Sequence, residues 1–221
     1  KRLHAIREFT ELGSGFKIAM RDLEIRGAGN LLGAEQHGHM QAVGYDLYCK
    51  MLDEAVKEAK GIKQQEEFET SVDLELNAFI PPKYIPNEYQ KLDIYKRIAG
   101  IESQEEYEDM LEELLDRFGE PPKAVENLLA IAALKALAHK VYITEIKQTG
   151  YDVKITMFKR AKLDPSGFPK ILEKYKNNMK MHLEEPPYFQ VSLKGRRPKE
   201  TLDVLEVLNN ILTDFQLLAE D

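Results

Sequence analysis

Residues 141–158 read VYITEIKQTGYDVKITMF. Two runs rich in β-branched and aromatic residues, 141–147 and 151–158, flank Gln148-Thr149-Gly150, which is a hairpin signal. A second pair of strands, 179–184 and 188–194, surrounds Glu-Glu-Pro-Pro. Three helices precede the first pair. One runs from about Asn87 to Ile101, and one opens with the capping box Ser103-x-x-Glu106 and closes at Gly119. The third starts at EPPKAVENLL, with proline in its first turn, and ends near Lys140. Further helices are expected near 165–177 and over 199–216. Upstream, VDLELNAFI (72–80) alternates like a strand, and PPKYIP stops it. Helices segregated from antiparallel hairpins make an α+β fold, here a compact domain of helices packed on the hairpins.

The first part of the chain is organised differently. Leu3, Ile6, Phe9 and Leu12 recur at helical spacing before Gly13, and a second short helix covers Phe16 to about Leu23, so a helical hairpin is expected. A glycine-rich loop then runs to about Gly44, and a linking helix from Tyr45 ends at Gly61. The polar, acidic stretch IKQQEEFETS (62–71) places a boundary between a unit at 1–64 and a domain at 65–221.

The 221 residues are 43% hydrophobic and 31% charged, enough for a real core. No apolar run approaches the roughly 18 residues of a membrane span, and the N-terminus is not a secretory signal. The absence of an initial Met suggests a piece of a longer polypeptide. A single cysteine, Cys49, excludes an internal disulfide framework and fits a reducing cytoplasm. The net charge of −7 argues against strong DNA binding by the whole surface. Residues 1–60 hold nine basic and nine acidic side chains; the 22 basic and 29 acidic groups beyond them own the whole excess. That acidic part suits protein partners.

The stretch RDLEIRGAGNLLGAEQHGHMQAVGYDLY (21–48) concentrates glycines whose backbone entropy something must require. Gly27-x-Gly29-x-x-x-Gly33 misses the dinucleotide fingerprint and follows a helix, and no triphosphate-binding loop occurs. His37 and His39 form a weak metal signal, and Cys49 falls on an apolar helix face, so no metal site is expected. A mechanical role remains, beside that of an ordinary surface loop. The glycines permit close approach to another surface, and Arg26 and Gln36 can grip carboxylates, phosphates or carbonyls.

These residues carry a resemblance. The segment from Gly15 to about Ala59 closely resembles the translocation motif shared by the bacterial translocase families RecG and Mfd, the transcription-repair coupling factors. The matching positions are Asp22-Leu23, Arg26-Gly27-Ala28-Gly29, Gly33 and Gln36-His37-Gly38. RecG typically has proline where Ala28 stands and only a short tail afterwards. Here YKRIAG and LLDRFGEPP continue in a way that looks like the C-terminal domain of Mfd. The resemblance implies that the motif couples ATP hydrolysis in RecA-like motor lobes to movement along double-stranded DNA. Arg26 and Gln36 would hold the loop against hairpin and motor. ATP and magnesium would belong to the parent protein. The fragment, lacking the ATPase motifs, is expected to be no enzyme itself and to carry no cofactor or catalytic residue.

In the second domain, Leu111, Leu114, Leu115 and Phe118 form the apolar stripe of one helix, and Glu113, Asp116 and Arg117 lie away from it. On pattern alone this is a solvated face whose ion pairs contribute about 0–1 kcal/mol. The family is similar in having a C-terminal domain that packs on its own N-terminal UvrB-like module and hides the surface for UvrA. That resemblance makes Glu113, Asp116 and Arg117 the expected interdomain contact. It further implies a bacterial, cytoplasmic parent with RNA polymerase and UvrA as partners through its other parts, and no membrane. The alternatives are a protein-interaction module without mechanical role and a fragment of a RecG-type fork-remodelling translocase. His139 and His182 have no serine or cysteine near them in sequence, and KGRRPK (194–199) is the one basic cluster.

Overall fold

The computed structural model describes residues 68–219. The expected helical hairpin, glycine-rich loop and linking helix, with Asp22, Arg26, Gly27, Gly29, Gly33, Gln36 and Gly38, lie outside the described residues. So do His37, His39 and Cys49.

The domain is α+β, with helices covering one face of a five-stranded mixed sheet. Its elements are β1 (Ser71–Asp73), α1 (Glu88–Ala99), α2 (Gln104–Phe118), α3 (Lys123–Lys140), β2 (Ile143–Thr149), β3 (Asp152–Met157), α4 (Phe168–Lys174), β4 (Met179–His182), β5 (Tyr188–Ser192) and α5 (Val204–Gln216). A short 3₁₀ turn, Pro165–Gly167, leads into α4. The strand order is β1-β2-β3-β5-β4. Both expected hairpins form, and β3 joins them by pairing with β5. The first turn is tighter than its sequence suggests: Thr149 pairs with Asp152, leaving Gly150 at φ +62° and Tyr151 as the two-residue loop. Glycine at the first central position matches the right-handed twist of the flanking strands.

Helix boundaries follow from caps. The Asn87 side chain accepts the Gln90 N–H at 3.0 Å to start α1. Ser103 Oγ accepts from Glu106 N–H at 3.1 Å to start α2, and the Glu106 carboxylate reaches back to Glu102 N–H at 2.7 Å. Gly119, at φ +83°, ends α2. Pro122 stands as the N-cap of α3 rather than inside its first turn. The last helix starts five residues later than expected. A bridge between Lys194 and Thr201 holds the preceding loop, and Asp203 supplies the cap by accepting from Glu206 N–H at 3.1 Å. The apolar stripe of α2 also differs in one member, because Leu115 is 45% exposed.

Residues 72–80 are not one strand. Only Ser71–Asp73 pair, parallel to β2, and the chain then leaves the sheet at a turn in which Leu76 N–H bonds to Leu74 C=O. Burial nevertheless alternates through Val72, Leu74, Ala78 and Ile80. The sequence alternation therefore records which side chains enter the core and not which backbone groups pair. The departing backbone is satisfied by helices: Phe79 N–H reaches Ala124 C=O at 3.2 Å, and the buried Ile80 N–H reaches the Tyr95 hydroxyl at 2.8 Å.

The core lies between the inner sheet face and α3 and α5. Phe168, Phe189 and Phe215 meet there with ring centroids 5.0–5.7 Å apart. Tyr95→Phe would leave the buried Ile80 N–H without its acceptor. Chemical denaturation should show a loss of about 1–3 kcal/mol, with the sheet's circular dichroism retained.

Candidate functional site

Helix α2 packs beside α1 through Met110 and Leu114, which are buried, so its opposite flank faces solvent. Glu113 stands at the seam. Its carboxylate is held by Arg97 of α1 and, on the other oxygen, by Arg117 Nη1 at 3.2 Å, one helical turn along. The three side chains remain 44%, 30% and 38% exposed for Arg97, Glu113 and Arg117. The hydrogen bond from Arg97, aided by the positive charges of Arg97 and Arg117, holds the Glu113 carboxyl below its ordinary range. The same hydrogen bond raises Arg97.

The C-terminal end of this face is tied to the loop before α1 by ring contacts and a hydrogen bond. The Arg117 guanidinium lies over the Phe118 ring at 4.9 Å, and Phe118 packs against Tyr84 at 5.8 Å. The Tyr84 hydroxyl donates to the Gly119 carbonyl at 2.8 Å, with the Leu114 carbonyl 3.3 Å away. Partial burial raises the Tyr84 phenol above its ordinary value.

Of the three residues expected here, Glu113 and Arg117 are brought together. Asp116 is exposed and makes no ion pair among the described residues. Sequence reasoning missed Arg97, whose contact with Glu113 depends on how two helices cross and leaves no mark in local spacing. Tyr84 was missed for the same reason. The histidines take structural positions. Thr70 Oγ1 donates to Ile143 C=O at 2.7 Å, so the His139 Nδ1–H, 3.0 Å away, donates to that oxygen. His182 stacks on Tyr188 with centroids 4.5 Å apart. Phe189 and Val191 are buried in the core. In the 194–199 loop, Gly195 N–H bonds to Glu200 C=O at 2.8 Å, and Glu200 Oε2 accepts from Arg197 N–H at 2.9 Å. No described helix is long and apolar enough to cross a membrane.

A family profile described as the TRCF domain matches residues 74–168. The transcription-repair-coupling factor of Bacillus subtilis (strain 168) is 46% identical over 210 residues, which cover 93% of this chain and 18% of that protein. The chain belongs to the transcription-repair-coupling factor family. The corresponding factor of Staphylococcus aureus (strain NCTC 8325 / PS 47) is 51% identical over 162 residues, covering 72% of this chain and 14% of that protein. A crystal structure of the C-terminal domain of transcription-repair coupling factor superposes with a TM-score of 0.57 at 25% identity. It covers 69% of this chain and 97% of that one. The chain thus spans under a fifth of the length of the curated family members it matches.

The Glu113 arrangement has a defined pH signature. A depressed carboxyl contributes stability that is fully present above its unfolded value, about 4.3, and is lost as pH falls through its lower folded value. In Arg97→Ala, the Glu113 carboxyl should titrate closer to its ordinary value by carboxyl-detected NMR. The loss of stability at neutral pH should stay below about 1 kcal/mol, as suits an exposed pair.

Proposed function

We propose that this chain works as the C-terminal part of a bacterial, cytoplasmic ATP-driven DNA translocase that displaces RNA polymerase stalled at damage and recruits excision repair. The observation that carries the reading is the 46% identity to a transcription-repair-coupling factor over 93% of the chain, which takes in both units read from the sequence. The glycine-rich motif, with Asp22, Arg26, Gly27, Gly29, Gly33, Gln36 and Gly38, transmits lobe rotation in the motor to double-stranded DNA. ATP and magnesium act in the motor lobes of the parent, and the fragment turns nothing over.

The C-terminal domain masks the UvrA-binding surface by packing on the parent's own N-terminal UvrB-like module. Glu113, Asp116 and Arg117 form the contact. Physical chemistry supports this choice of face. Arg97 and Arg117 share one carboxylate, so the Arg117 fork keeps donors to spend, and Asp116 presents an unpaired charge beside it. A polar contact of that kind is specific in register, modest in energy and weakened by salt, which suits a clamp that must open.

In the whole protein, Arg26→Ala or Gln36→Ala should leave ATP hydrolysis running while polymerase displacement from a stalled complex falls by an order of magnitude or more. Unchanged displacement would refute the lever. Residues 65–221 should bind the isolated UvrB-like module in a titration, less tightly at high salt and less tightly after charge reversal of Glu113, Asp116 and Arg117. The full-length reversed protein should also bind UvrA without activation. If it keeps its UvrA site hidden, the clamp does not use these residues.

A further inference from the structure

All described helices lie on one side of the sheet, against Val72, Ile146, Val153, Ile155, Phe189 and Val191, which are buried. No described element covers the other side. Strand register draws a row straight across it: Asp73 pairs with Lys147, Lys147 with Lys154, Lys154 with Gln190, and Gln190 with Lys180. All five residues of the row are exposed. Three of them are lysines, and none of these three forms an ion pair among the described residues. The carboxylates that share the face, Asp73, Glu145 and Asp152, are not within ion-pair distance of them.

This placement costs the fold something. Lys147 and Lys154 are direct cross-strand partners, and like charges so placed repel. Lys154 is drawn toward the Tyr188 ring, its Nζ 4.3 Å from the centroid, while His182 stacks on the same ring with planes 11° apart. The ring contact orients the ammonium without neutralising it. Lys194 continues the basic strip toward the hairpin turn, its Nζ 5.7 Å from the Tyr151 ring. A domain whose charge is otherwise acidic therefore gathers, on the open face of its described sheet, lysines that outnumber the carboxylates beside them by one and form no ion pair with them.

We infer that this sheet face binds the phosphate backbone of duplex DNA through Lys147, Lys154 and Lys180, a contact separate from the glycine-rich motif. Three strand spacings set the outer two lysines roughly 14 Å apart, so the row meets several phosphates of a duplex at once. An acidic protein surface fits less well. Protein interfaces are depleted in lysine and centre on apolar or arginine anchors, and the row carries neither. Tyr188 has His182 on its ring and Lys154 over it, so it does not serve as a platform for bases. The contact is therefore independent of sequence, and the surrounding acidic surface keeps it local and strongly dependent on salt.

The test is fluorescence anisotropy of the full chain with a short labelled duplex at salt concentrations from about 50 to 200 mM. Lys147→Gln/Lys154→Gln/Lys180→Gln should flatten the plot of log K against log salt by about 2.7, at roughly 0.9 per phosphate contact. Over that salt range the unmodified chain should lose about 40-fold more affinity than the variant. The Lys→Arg version of the triple should retain the unmodified slope. Lys83→Gln/Lys162→Gln/Lys170→Gln, which makes the same change in net charge at exposed positions elsewhere, should leave the slope in place. Equal slopes for the unmodified chain and the row variant, with its thermal transition intact, would overturn the inference, as would an equal loss in the control triple. Loss of poly-glutamate binding by the row variant with duplex binding unchanged would also overturn it, in favour of an acidic protein partner.

Discussion

Helix α3 cannot lie on a surface, and the rest of the domain is arranged around that constraint. Val125, Leu128, Leu129, Ile131, Ala132, Leu134 and Ala138 are all buried, so its apolar surface is too wide for a single neighbour to cover. The sheet takes one side, α5 another, and α1 and α2 the remainder. Each covering element then needs only a stripe of its own, which explains why α2 can expose a continuous charged flank. The chain leaving β1 is bound to the same helix, through Ala124 and through the Asn127 side chain, which donates to Asn77 C=O at 3.0 Å. Burying α3 thus decides where the sheet ends as well as where the helices pack.

What was legible in the sequence was whatever is settled within a turn or two of chain. Ser103 and Glu106 mark a helix start because their bonds close over three or four residues, and Gly150 marks a hairpin because only local twist is at stake. The parallel pairing of β1 with β2 was not legible. Its partners, such as Val72 and Ile146, are separated by three helices, and alternation is indifferent to what a strand pairs with. The start of α5 was displaced for a related reason. The Lys194–Thr201 bridge consumes residues whose composition would have allowed them to be helical.

The candidate site divides along the same line. Glu113 and Arg117 are neighbours by helical periodicity alone, so their pairing was visible at i and i+4. Arg97 joins them only because α1 crosses α2 at that point, and its bond to Glu113 is the larger cause of the depressed carboxyl. Asp116 shares the flank by sequence position and still stands apart. A face inferred from one helix is therefore incomplete wherever a second helix contributes charge.

The two open surfaces of the domain differ in how their charge is handled, and that difference bears on what each can bind. On α2, Arg97, Glu113 and Arg117 answer one another within a flank that is otherwise acidic, and its discrimination lies in geometry: a carboxylate shared by two guanidinium groups and an aromatic ring beside them. Such a surface favours one protein partner in one register. On the sheet, the three lysines of the row form no ion pair among the described residues and differ from one another chiefly in position. A surface of that kind discriminates poorly between sequences and responds strongly to any dense line of negative charge. The two lie on different layers of the described fold, one formed by α1 and α2 and the other by the outer sheet face. A domain held by its helical face could still meet a polyanion with its sheet, so release from a protein partner need not precede contact with nucleic acid.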